Sequence, residues 1–184
     1  MGTPISHGCP ESCATQCRLK PHPVCRYADR NDDAKASRLQ AGRRTTVGEA
    51  TQELARFAAT LTYDAIPERV REHCKNVLLD TLACAVAGHQ GEETGQIGAL
   101  ASALGQSDES SVIGGDRLSL AGATLLNGYL VTAVTMCDIH RATLTHVTPE
   151  VVPPALAIAE RDARSGRDLL VALAAGFEVT TRVG

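Results

Sequence analysis

Residues 136–160 gather the groups best suited to proton transfer. Met136-Cys137-Asp138-Ile139-His140 is followed by Thr145-His146, then by Pro153-Pro154-Ala155-Leu156-Ala157-Ile158-Ala159-Glu160. An acid, two imidazoles and several hydroxyls therefore lie between two apolar, helix-forming runs. A carboxylate beside histidines supplies groups that exchange protons near neutral pH. Helix ends and the loops joining them are where a rigid scaffold presents such groups. Any activity of this chain is expected to centre here.

The elements that must position this stretch are helices. Thr46-Val47-Gly48-Glu49 fits a capping box. Val47, Ala50, Leu54, Phe57 and Leu61 then recur three or four apart on one face. Pro67 opens a second helix with Glu68 in its positive first turn, and Gly88 closes it. Val70, Cys74, Val77, Leu78, Leu82, Ala85 and Val86 form its buried stripe. A third helix is expected from Glu93 to Leu104, and a fourth from Ser119 to Thr135. Between them, Ser110-Ser111-Val112-Ile113-Gly114-Gly115 reads as an extended connector. No G-K-[ST] follows it, so a phosphate-cradling loop is rejected. Pro153 and Pro154 are expected to open the fifth helix, ending near Arg164. Ser165-Gly166-Arg167-Asp168 is a second capping box that starts the sixth. The expected fold is an all-α helical bundle.

Composition agrees. The chain has 184 residues, enough for one domain with a core, and 43 % are apolar, but only 3 % are aromatic. Ala, Leu and Val must fill the interior, which suits close-packed helices. The net charge is −3 and no basic stripe stands out from Thr45 onward, so nucleic-acid binding has no electrostatic support. No apolar run is long enough for a membrane span, and the first residues lack a secretory layout. Cys74, Cys84 and Cys137 lie far apart and read as reduced, mostly core thiols, which points to a cytoplasmic protein.

Residues 1–44 differ: they are rich in Pro, Cys, Arg and Ser, with little apolar periodicity. Cys9, Cys13, Cys17 and Cys25, with His7 or His22, offer ligands for a metal-binding module. Their spacing is not that of a paired C-x-x-C ribbon, and a disordered extension is the favoured reading. At the other end, Leu169, Leu170, Leu173, Phe177 and Val179 run strongly apolar to Gly184. A chain that is truncated, or completed by a partner, is expected from that pattern.

Several blocks carry a family resemblance. They are Leu61-Thr62-Tyr63-Asp64-Ala65-Ile66-Pro67, residues 79–88 (LDTLACAVAG), Asn127-Gly128, residues 153–160, Ser165-Gly166-Arg167-Asp168-Leu169-Leu170 and Gly176-Phe177-Glu178-Val179. In order and spacing, residues 51–184 resemble the N-terminal part of the MmgE/PrpD family. Its members include 2-methylcitrate dehydratase, cis-aconitate decarboxylase and iminodisuccinate epimerase. The resemblance implies part of a larger helical domain, usually homodimeric, acting on a small di- or tricarboxylic acid with no metal or cofactor. A family lysine and a further histidine would lie beyond Gly184.

It also implies roles. His146, seven residues before Pro153, matches the family's active-site histidine and would transfer a proton or contact a substrate carboxylate. Asp138 matches the last aspartate of the family's acidic segment. It would orient His140 or His146, act itself, or serve as a helix-terminal Asp bonded to backbone amides. His140 would bind a carboxylate, pair with Asp138, or simply lie exposed. Thr145 would hydrogen-bond substrate or backbone, and Arg141 would clamp a carboxylate or remain solvated. The chain departs from the family pattern at Thr132, Thr135, Cys137 and Ile139, with one residue inserted between Asp138 and His146. It reads as a divergent lyase or isomerase whose substrate is open, with dehydration of 2-methylcitrate put in doubt. The alternative is a catalytically silent helical fragment that functions only in a dimer or a longer polypeptide.

Overall fold

The structure, a computed structural model, describes residues 47–183. The extension expected over residues 1–44, its four cysteines and the Thr46 cap lie outside the described residues.

The described residues form a helical bundle. Helix α1 is Val47–Thr60, and a 3-10 turn at Tyr63–Ala65 leads to α2, Glu68–Gly88. Then come α3 (Thr94–Ala103), β1 (Ser110–Ser111), β2 (Arg117–Leu118), α4 (Leu120–Thr132), α5 (Thr148–Arg161) and α6 (Gly166–Val183). Helix α4 packs against α2, α3 and α5, while α6 covers α1, α2 and α5.

Small residues let these helices approach closely. A Cβ on Gly88 would collide with the Leu130 carbonyl of α4, and one on Gly122 would collide with the Ala101 carbonyl of α3. The core has two parts. One gathers Cys84, Ala85, Ala101, Val112, Leu126, Leu130 and Val131 around α4. The other gathers Cys74, Val147, Val151, Val152, Leu170 and Leu173 between α2, α5 and α6. Helix α2 is 21 residues long and contributes to both.

The connector at residues 110–118 is a short antiparallel ribbon, with Ser110 opposite Leu118 and Ser111 opposite Arg117. Its turn uses Gly114 at φ 77°. Asn127, 1 % exposed, holds it from α4. Its Oδ1 accepts from the Ile113 amide at 2.8 Å and its Nδ2 donates to the Ser111 carbonyl at 3.0 Å. From α5, the Glu160 carboxylate accepts from the Ser111 amide, and the Ala157 carbonyl accepts from the Ser110 hydroxyl. The Asn and Glu of the resembling blocks therefore have a structural role: they fasten the ribbon to the bundle.

Both ends of the central loop differ from expectation. Helix α4 stops at Thr132 rather than Thr135. The Thr132 hydroxyl donates to the Tyr129 carbonyl at 2.9 Å, and Thr135 takes a left-handed φ of 52° that no helix continues. Helix α5 begins at Thr148, so Pro153 and Pro154 lie inside it instead of opening it. Pro153 has no N–H for the Pro149 carbonyl. Burial of Val147, Val151 and Val152 outweighs that loss, and the helix runs through. The capping box at Ser165 forms as expected: the Asp168 amide donates to the Ser165 hydroxyl at 3.2 Å, and the Ser165 amide donates to Asp168 at 3.1 Å.

Helix α5 ends in a Schellman motif. The Arg164 amide donates to the Ala159 carbonyl and the Ala163 amide to the Glu160 carbonyl, with Ala163 at φ 50°. Two opposite substitutions test this packing by urea unfolding. Gly88→Ala should destabilise the chain by about 1–3 kcal/mol through overpacking. Ala163→Gly should stabilise it by roughly 0.5–1 kcal/mol by relieving the left-handed residue.

Candidate active site

The loop between α4 and α5 leaves one half of the core and returns into the other. Cys137 packs against the α4 cluster, and Val147 is buried in the α5 cluster. The side chains between them are thereby held over the junction.

Asp138 is the organising group. Its Oδ1 accepts from the Thr148 amide at 2.9 Å. Thr148 is the first residue of α5, and Val147 before it provides no side-chain cap. Asp138 therefore satisfies a free amide at the positive end of α5 from ten residues away in sequence. Burial pushes the Asp138 carboxyl above its ordinary range, against the Thr148 amide and the His146 charge, which both pull it down. Asp80, on α2, adds a smaller upward push.

His146 stands beside this carboxyl with its ring exposed. Its Nδ1 lies 3.4 Å from Cys137 Sγ. Burial pushes the Cys137 thiol up, and the neighbouring Asp138 pushes it further. From α2, Cys84 is raised by burial first and then by Asp80, Cys137 and Asp138. Asp80 and Cys84 are four residues apart and so share a helix face. Sequence reasoning did not place either in the site. The signal available was their spacing within residues 79–88, which was read there only as part of a family block.

His140, Arg141 and Thr145 form the tip of the loop. The His140 amide donates to the Thr145 carbonyl at 2.8 Å, closing a turn over residues 141–144. His140 Nδ1 is 2.8 Å from Thr143 Oγ1, so its ring pairs with Thr143 rather than with Asp138. The Thr145 hydroxyl donates to the Thr143 carbonyl at 3.3 Å. Arg141 is exposed at this tip. The structure thus brings Asp138 and His146 together with Cys137, and places His140, Thr145 and Arg141 in an adjoining turn.

Backbone strain marks the same loop. Thr135 and Leu144 have φ of 52° and 55°. Left-handed angles are rare for such side chains, above all a β-branched one, and cost roughly 1–3 kcal/mol each. The Thr148 hydroxyl is buried without a hydrogen-bond partner. Among the described residues, no three His, Cys, Asp or Glu side chains converge to hold a metal ion. A shallow depression of about 240 Å³ near the α5–α6 turn is lined by Leu156, Glu160, Arg164 and Leu169 among others, and by none of the candidate residues.

The pH dependence of stability follows from Asp138. A carboxyl raised in the folded state stabilises the fold fully below its unfolded pKa. That contribution is lost as pH rises through the folded pKa. Asp138→Asn keeps an oxygen for the Thr148 amide and removes the buried charge. It should therefore be at least as stable as the parent chain at pH 7, with the gain disappearing in acid. Asp138→Ala removes the cap and should lose about 1 kcal/mol. Urea melts at both pH values check the pair.

Residues 52–184 match the model of the MmgE/PrpD N-terminal domain. A cis-aconitate decarboxylase-like protein of Aspergillus oryzae is 33 % identical over 148 residues, covering 76 % of this chain and 31 % of that protein. A cis-aconitate decarboxylase of Aspergillus terreus is 29 % identical over 140 residues, covering 73 % of this chain and 29 % of that protein. The chain thus spans under a third of the length of these relatives. No solved structure matches it. No described helix is long and apolar enough to cross a membrane. The chain belongs to the MmgE/PrpD family, through the match of residues 52–184 to its N-terminal domain.

Proposed function

We propose that this chain contributes the proton-handling segment of a lyase or isomerase acting on a small di- or tricarboxylic acid, next to one of its carboxylates. The observation that carries the reading is one short loop that presents an exposed imidazole, His146, and a half-buried carboxyl, Asp138, anchored on the first amide of α5. A carbon acid beside a carboxylate is weak. Catalysis needs a group that moves the proton and positive charge where negative charge develops. His146 is exposed and moves the proton. Asp138 anchors the loop on α5, and burial raises its carboxyl above the ordinary range. The turn carrying His140, Arg141 and Thr145 adjoins the segment, where its side chains can hold substrate carboxylates. No metal or cofactor has a role in this reading.

The named relatives favour cis-aconitate among the candidate acids. A chain of this family acts within a homodimer or a longer polypeptide in the cytoplasm. A second reading, a domain that is silent alone, draws on the apolar side chains exposed on α2 and the loop: Leu79, Val86, Met136, Ile139 and Leu144. These would meet a second copy or further chain.

NMR titration with cis-aconitate separates the readings. The ring signals of His146 and His140 should shift saturably, and the shift at His140 should be lost in His146→Ala. Bound acid with no new product would leave the silent-domain reading. Ring signals unmoved at about 10 mM, above the usual KM range of up to about 1 mM, would defeat the proposal.

A further inference from the structure

Cys137 Sγ lies 3.4 Å from Nδ1 of the His146 imidazole. We propose that Cys137 is a positioning residue and proton reservoir for His146: its thiol donates Sγ–H to Nδ1, leaving Nε2 protonated and turned toward an incoming acid. This inference rests on the proposed function, because it assigns His146 the delivery of a proton instead of its removal.

The distance allows the bond, and the surroundings of the two groups set its direction. Sγ and Nδ1 are 3.4 Å apart, within the range of a sulfur hydrogen bond. Cys137 is half-buried against the core cluster around α4, whereas His146 is exposed. The groups around the thiol are negative or neutral: Asp138 on its own loop, and Asp80 and Cys84 on α2. Burial and these neighbours hold the sulfur in its protonated form. A protonated thiol has a hydrogen to give, and the unprotonated nitrogen of a neutral imidazole accepts it. The nitrogen not engaged by Cys137 is Nε2, and it is the one left for a ligand.

The step balances without any further reactant. As negative charge develops on a carbon beside a carboxylate, Nε2–H breaks and C–H forms. Sγ–H breaks and Nδ1–H forms in concert. The products are a neutral imidazole of the opposite tautomer and a Cys137 thiolate, which regains its proton from water. A neutral imidazole alone is too weak an acid to release Nε2–H. The thiol removes that obstacle by protonating Nδ1 as Nε2–H leaves, so that the imidazole stays neutral. His146 touches the substrate, and Cys137 acts through it.

Two spectroscopic readouts test the idea on the chain itself, with no substrate present. Near pH 7, the infrared S–H stretch assigned to Cys137 by its loss in Cys137→Ser should lie below that of a free thiol. It should return to the free position in His146→Ala, an exposed substitution that leaves the fold intact. Long-range nitrogen NMR should show His146 protonated at Nε2 and not at Nδ1. An S–H band already at the free position, no Cys137 S–H band, or a proton on Nδ1 would each overturn the inference. Because no acid is added, a failed cis-aconitate titration with these signatures intact would count against the functional reading alone.

Discussion

The bond from the Thr148 amide to Asp138 fixes the site. It joins the loop leaving α4 to the first turn of α5, and so decides where Cys137 and His146 lie. An amide at a helix start needs an acceptor, and a half-buried carboxylate needs a donor. Each group answers the other here. Yet the match is incomplete: burial still outweighs the amide and the imidazole, and the carboxyl remains raised. A carboxyl held by structure but reluctant to ionise is the kind of group that clusters at functional sites.

The scaffold makes that compromise tolerable. Its core is built from Ala, Val, Leu and Cys with few aromatic rings, so helices meet backbone to backbone at Gly88 and Gly122. Close-packed helices resist displacement. They can therefore hold Thr135 and Leu144 in left-handed conformations that a looser frame would relax. The strained residues sit near the two ends of the segment that carries the candidate side chains, and both core clusters anchor it.

Much of this was legible in the sequence because helices announce themselves through spacing and caps. The start of α2 after Pro67, its stop at Gly88 and the Ser165–Asp168 box all follow local rules, whereas its stripe was legible only in part: Cys74 and Ala85 are buried, but so are Thr81 and Cys84, and Val86 is exposed. The start of α5 did not, because Pro153 and Pro154 have the appearance of first-turn prolines. What carries the helix past them is burial of Val147, Val151 and Val152, a tertiary effect. The ribbon at residues 110–118 was hidden because each strand has two residues and its fastening comes from Asn127 and Glu160, far along the chain. Asp138 and His146 were legible as chemistry through the family resemblance. The pairing of His146 with Cys137, the pairing of His140 with Thr143, and the approach of Asp80 and Cys84 depend on how the loop folds back, which no local pattern encodes.

Burial keeps Cys137 a thiol and adds no charge to the loop. Asp138 becomes the principal acid of the loop, with Asp80 across from it on α2. The account depends on that carboxyl being raised by its surroundings. Carbon-detected NMR of the Asp138 side-chain carboxyl during a pH titration measures it directly. A midpoint above that of ordinary aspartates, moving higher still when His146 is replaced by Ala, is the expected result. A midpoint at or below the ordinary value would mean that the loop holds a solvated helix cap and no proton-handling site.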